Sequence, residues 1–142
     1  MQLDDVVDLR TRVLRAHMPG VEARAHSDHH PATWHLGAYR DGRLVGVVTG
    51  FPEEAPGRPG RPAQRFRFMA VDPEEQGGGV GKALMREVID RARGRGDELL
   101  WAHGRDGALG FYTGIGFRVE GDGFLESDLP HHVVVLDLQP VR

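Results

Sequence analysis

The amino-acid sequence predicts an α/β fold, a mixed sheet flanked by helices. Three observations carry this. Apolar residues recur at helical spacing over residues 3–15 and again over 80–93. Short β-branched and aromatic runs with period-two alternation lie between and after them. The resulting order is helix, hairpin, strand, long helix, strand, helix, strand, strand, with no internal repeat. A chain of 142 residues fits one domain, 1–142, with one sizeable core.

Each element has its own signal. From Leu3 to Arg15, Val6, Val7, Leu9, Val13 and Leu14 fall on one side and Asp4, Asp8, Arg12 and Arg15 on the other. Pro19-Gly20 stops that helix. Residues 21–31 are polar and His-rich and read as a short helix or a loop. Trp34 to Tyr39 and Leu44 to Thr49 flank Asp41-Gly42, a strong two-residue hairpin signal. Four prolines between Pro52 and Pro62 mark an exposed loop over 52–64. Arg65 to Val71 alternates as a strand, with Phe66, Phe68 and Ala70 on one face, and ends at Asp72-Pro73. Val80, Ala83, Leu84, Val88 and Ala92 form the stripe of a helix that Gly94 and Gly96 terminate. Glu98 to Ala102 reads as a short strand. Asp106 is placed to cap a helix running to about Thr113. Phe117 to Glu120 and His132 to Leu138 read as the last two strands.

Composition narrows the function. The net charge, 18 − 21 = −3, argues against a nucleic-acid partner, which demands a basic surface. With no cysteine, disulfides, thiolate zinc sites and cysteine nucleophiles are excluded. No apolar run reaches spanning length, so no membrane partner and a cytoplasmic location are expected. His26, His29 and His30 with Asp28 match no standard zinc spacing, and His131-His132 would point to opposite faces of a strand, so no metal is expected. Trp34 and Trp101 read as packing residues. Arg58, Arg61, Arg65 and Arg67 read as a solvated basic face or as a guide for an acidic substrate or cofactor phosphates.

The most informative segment is Gln76-Gly77-Gly78-Gly79-Val80-Gly81-Lys82, a turn between strand and helix. The first N–H groups of a helix lack intrahelical partners and carry the positive end of its dipole. Glycines let a phosphate approach that backbone. Lys82, the one lysine beside 17 arginines, adds charge there. The Walker pattern fails, because Gln76 and Ala83 stand where Gly and Ser or Thr are required, and the G-x-G-x-x-G pattern fails at Lys82 and at Leu84.

At these residues the chain resembles the GNAT acetyltransferase family. Gln76-Gly77-Gly78-Gly79-Val80-Gly81 satisfies its pyrophosphate motif of Gln or Arg, two residues, Gly, one residue, then Gly or Ala. Ala108-Leu109-Gly110-Phe111-Tyr112-Thr113-Gly114-Ile115-Gly116-Phe117 matches its A-x-x-F-Y-x-x-x-G-F signature. The tail from Phe124 to His131 resembles a small bacterial branch whose last hairpin carries a Pro-His pair. The resemblance implies the GNAT acyl-CoA N-acyltransferase fold and acetyl transfer from acetyl-CoA to a primary amine of a small-molecule or peptide acceptor, by direct attack in a ternary complex. It further implies that the Met69-Ala70-Val71 backbone meets the pantetheine arm and that N–H groups from Gly77 to Lys82, led by Gln76, hold the pyrophosphate. Phe111 and Tyr112 would lie against the cofactor, Tyr112 as donor to the departing thiolate. Arg105 replaces the Asn that family members often carry before the second motif and could reach a phosphate or the adenosine end. The general base is left open among His131, His35 and Glu126, with His131 favoured because imidazole titrates near neutrality. A non-catalytic acyl-CoA-binding module on the same fold is the alternative. A homodimer through the C-terminal strands is a further expectation.

Overall fold

A computed structural model describes residues 1–138. In chain order the elements are α1 (Leu3–Leu14), β1 (Trp34–Arg40), β2 (Arg43–Pro52), β3 (Ala63–Val71), α2 (Val80–Gly94), β4 (Leu99–Arg105), α3 (Leu109–Ile115), β5 (Arg118–Glu126) and β6 (Leu129–Asp137). Three short 3-10 turns, His26–His29, Pro73–Glu75 and Asp106–Ala108, sit between them. The strands make a mixed sheet with hydrogen-bonded order β1-β2-β3-β4-β6-β5.

The chain groups into two compact units, which β3 and α2 both traverse. The first comprises Met1–Phe51 and Phe66–Val88. Here β1 and β2 pair antiparallel through a turn in which Asp41 and Gly42 take φ of 52° and 78°, the left-handed pair that the Asp-Gly signal predicts. Val6 and Leu9 of α1 pack with Val47 of β2 and Ala70 of β3. Each such buried aliphatic side chain contributes roughly 1.5–3 kcal/mol against its exposed state.

The second unit comprises Pro52–Arg65 and the chain from Ile89 on. The start of β3 runs parallel to β4, and β4 and β5 both pair antiparallel with β6. Ala55, Ala63, Leu99, Trp101 and Val135 form its apolar cluster. Trp101 donates its indole N–H to the Glu53 carbonyl at 2.9 Å, in keeping with a packing role.

The last hairpin is longer than the sequence suggests. Strands are expected over Phe117–Glu120 and His132–Leu138, yet β5 runs to Glu126 and β6 begins at Leu129. An irregularity between Glu120 and Phe124 absorbs Gly121 and Gly123. Ser127 and Asp128 make the turn at φ of 50° and 63° without a glycine. The polar stretch 21–31 forms a 3-10 turn at His26–His29. Asp106 does not cap α3, whose N-cap is Ala108. Its carboxylate instead accepts from His132 Nδ1 at 2.6 Å.

Candidate active site

The glycine turn lies in the first unit. β3 ends at Val71, and Asp72 caps the following 3-10 turn by accepting from the Glu74 amide at 3.1 Å. Gln76 folds back, its side-chain amide donating to the Val71 carbonyl at 3.1 Å. Gly77 and Gly79 take φ of 85° and 87°. A Cβ at either would meet nothing within 4 Å, so glycine is required there by backbone conformation and not by crowding. Residues 76–79 are exposed, Val80 is buried as the anchor of α2, Gly81 is half-buried and Lys82 is exposed.

The charge around the turn favours an anion. Asp72 faces Arg43 at 3.4 Å and Arg12 at 3.7 Å, and Glu75 pairs with Arg40 at 2.7 Å and Arg43 at 3.4 Å. The acids beside the turn are thus offset by arginines, and no acidic residue stands in the first turn of α2. An exposed helix N-terminus with two left-handed glycines and a lysine has the donor set that a pyrophosphate requires.

Just upstream, Met69 and Val71 are half-buried and Ala70 is buried. The alternation read for this strand is interrupted at Phe68, whose φ is 54°. For a bulky residue this is a true outlier. The guanidinium of Arg10 lies 4.3 Å from the centre of the Phe68 ring and that of Arg67 lies 4.6 Å from it. Backbone strain of this kind collects at functional positions.

The same unit holds His35. Arg10, fully buried, donates to both oxygens of Asp28 at 2.9 and 3.0 Å, to the Ala23 carbonyl at 3.2 Å, and to the Thr49 hydroxyl. Thr49 in turn lies 2.7 Å from His35 Nδ1. Burial lowers the His35 pKa below the usual imidazole value. His35 is therefore part of a buried ion-pair network, and Asp28, flanked by His26, His29 and His30, is committed to Arg10.

The second signature lies in the other unit. Tyr112 of α3 is buried, with 7% of its surface exposed. Its ring lies against Gly104 of β4, where a Cβ would stand 3.1 and 3.2 Å from ring carbons. Phe111 and Phe117 meet it edge to face at 5.3 and 5.6 Å. Burial pushes the phenol up to about 12, while the charge of Arg105 acts in the opposite direction. At neutral pH the phenol is a proton donor. Arg105 is half-buried at the end of β4.

His131 is buried at the start of β6, and Nδ1 donates to the Leu129 carbonyl at 2.8 Å. Its Nε2 stands 3.6 Å from Glu126 Oε2. Two of the three candidate bases are thus brought together. The structure adds His103, which the sequence reading did not single out, with Nδ1 2.9 Å from Glu126 Oε1. Only the β4–β5–β6 pairing places it there, so no local signal marks it.

The basic stretch is largely paired. Arg58 makes a two-pronged contact with Glu120 at 2.7 and 2.5 Å, Arg61 meets Glu98 at 2.9 Å, and Arg65 meets Glu53 at 3.0 Å. These ion pairs brace the loop.

The fold, the glycine turn and the buried tyrosine define the class: an acyl-CoA N-acyltransferase architecture. The acetyltransferase (GNAT) family model matches residues 4–117, and the chain belongs to that family. It is similar to the uncharacterized N-acetyltransferase YitI of Bacillus subtilis, 24% identical over 135 residues, covering 95% of this chain and 91% of that one. Among solved structures it is similar to FeeM, an N-acyl amino acid synthase from uncultured soil microbes, with TM-score 0.80, 16% identity and coverage of 96% of this chain and 90% of FeeM. It is also similar to an aminoglycoside 6′-N-acetyltransferase complexed with coenzyme A, with TM-score 0.74, 15% identity and coverage of 98% and 92%. At these identities the structural likeness shows the fold. Among the described residues no helix is long and apolar enough to cross a membrane.

Proposed function

We propose that the protein transfers an acetyl group from acetyl-CoA to the primary amine of a small-molecule or peptide acceptor, by direct attack in a ternary complex. The observation that carries this reading is the exposed turn at Gly77–Gly79, with its left-handed glycines and offset acids, opening a helix that bears Lys82. That turn takes the cofactor pyrophosphate on its backbone N–H groups, and the Met69–Val71 backbone takes the pantetheine arm. A strand N–H in that segment polarises the thioester carbonyl. Tyr112, protonated at working pH, donates to the departing thiolate. Membership of the GNAT family and the coenzyme A bound to a structural neighbour support acetyl-CoA as co-substrate.

The test is release of CoA thiol from acetyl-CoA, followed with a thiol reagent, in the presence of a panel of primary amines and of a short peptide with a free N-terminus. Turnover that depends on the amine supports the reading. Acetyl-CoA binding with no turnover on any amine would instead assign the chain to non-catalytic acyl-CoA binding.

A further inference from the structure

Within the first unit, β2 meets the glycine turn at both of its ends. At the entry, the Asp72 amide donates to the Val45 carbonyl at 2.8 Å. Val45 is the extra residue of a bulge, since Gly46 lies opposite Ala38 of β1 while Leu44 lies opposite Tyr39. At the exit, Val80 opens α2 directly over Gly46. A Cβ added to Gly46 would stand 2.8 Å from Val80 Cγ1 and 3.0 Å from Leu84 Cδ1, one helical turn further on. The Cβ of Ala38 closes the same space from the side, at 3.6 Å.

Gly46 differs in kind from Gly77 and Gly79. Those two are glycines because of their φ and have open surroundings, whereas Gly46 is buried and has no left-handed φ. Space, and not conformation, demands glycine at 46. Any side chain there must displace Val80. Its Cγ1 would retreat by about 0.6 Å, from 2.8 Å to the 3.4 Å at which ordinary contact begins. Valine is stiff at χ1 on a helix, so the retreat falls on the backbone. Leu84 meets the site with the end of a flexible side chain, which can turn aside. Moving Val80 carries the first N–H groups of α2 with it. Asp72 stays tied to Val45, so the segment between them is distorted and not moved as a unit.

We propose that Gly46 is a positioning residue for the pyrophosphate turn. Its bare backbone sets how closely the N-terminus of α2 seats on β2, and so where the N–H groups from Gly77 to Lys82 stand. This rests on the acetyl-CoA reading above. Gly46 acts on the cofactor through Val80, the buried residue that ends the exposed stretch 76–79. A cradle of backbone donors is sensitive to such a shift, because an N–H···O contact weakens once it is stretched beyond about 3.2 Å.

The test compares wild type, Gly46→Ala, Val80→Ala and the double variant Gly46→Ala/Val80→Ala in the full chain. In calorimetric titration, Gly46→Ala binds acetyl-CoA about tenfold more weakly than wild type, the order of one charge-assisted contact. Truncating Val80 makes room for the new methyl, and the double variant returns to within about threefold of Val80→Ala, a non-additivity expected only of residues in contact. S-acetylpantetheine, which lacks the pyrophosphate, is followed by NMR and binds wild type and Gly46→Ala equally well. Undiminished acetyl-CoA affinity in Gly46→Ala overturns the proposal, and so do equal losses for acetyl-CoA and S-acetylpantetheine, which mean general loosening. If Gly46→Ala does not fold, the double variant carries the test: it folds and binds acetyl-CoA, and failure to do either overturns the proposal. The Gly77 and Gly78 amide resonances of the unliganded protein give a readout independent of the cofactor. They shift in Gly46→Ala and return toward their wild-type positions in the double variant, and unmoved resonances overturn the proposal. The same shift and return in a wild-type background that does not bind acetyl-CoA would keep the coupling of Gly46 to the turn and remove the acetyl-CoA reading instead.

Discussion

Replacing Gly79 by Ala separates strain in the turn from its role in binding. Gly79 has φ of 87° and nothing within 4 Å of the position a Cβ would take. The substitution therefore adds no clash, only the cost of holding an L-residue in the left-handed region, about 1–2 kcal/mol. For a chain of this size that lowers the melting temperature by roughly 3–7 °C. The new methyl also stands over the backbone that a pyrophosphate would approach. Losing one charge-assisted N–H contact there costs about 1.5–3 kcal/mol, or a roughly 10- to 150-fold weaker affinity for acetyl-CoA. Gly107→Ala is the control, since Gly107 has no left-handed φ and equally open surroundings. It should leave both quantities nearly unchanged. Thermal melting and calorimetric titration of the two variants are the assays. A Gly79→Ala protein with the expected fall in melting temperature and undiminished acetyl-CoA affinity would refute the placement of the pyrophosphate.

Other outcomes follow from the same geometry. Tyr112→Phe should lower kcat by about 10²–10⁴-fold while acetyl-CoA affinity holds, and an unchanged rate removes Tyr112 from the mechanism. Because burial pushes this phenol up to about 12, no ionisation limb from Tyr112 should appear in the wild-type rate profile below pH ~11. Asp28→Ala leaves the Arg10 guanidinium buried without its carboxylate and should cost about 3–5 kcal/mol in chemical denaturation, whereas Arg10→Met with Asp28→Leu should recover most of it; a loss under ~1 kcal/mol contradicts the network described. For Asp28, burial pushes the pKa up, but the hydrogen bonds from Arg10 and the Ala25 amide outweigh it, and the carboxyl titrates below its usual value. Its stabilisation is complete above the unfolded aspartate pKa near ~3.9 and is lost as pH falls through the lowered folded value, so Asp28→Asn should flatten that part of the acid-denaturation curve.

What the sequence disclosed were local patterns. The Asp41-Gly42 turn, the stripe of α2 and the glycine turn each involve neighbours within a few residues, where φ preferences and helical spacing act directly. The signature that contains Tyr112 is likewise a run of ten contiguous residues. Arg10 was not, although it sits one helical turn from Val6 and Val13 on the inward side of α1. A buried arginine is intelligible only once Asp28 and Thr49, 18 and 39 residues away, are known to meet it. His103 escaped notice because strand pairing, and nothing near it in the chain, brings it to Glu126. The last hairpin extends beyond its sequence signal because Gly121, Gly123 and Pro130 have low strand propensity, which the β5–β6 pairing overrides.

The most direct test of the account is calorimetric titration of the purified chain with acetyl-CoA, with ATP and NAD as controls. The account predicts saturable one-to-one binding of acetyl-CoA, weakened in Gly79→Ala, and no comparable binding of either control. Absence of binding by acetyl-CoA, or equal binding of ATP, would contradict the assignment of the Gly77–Lys82 turn to the cofactor pyrophosphate and with it the proposed reaction.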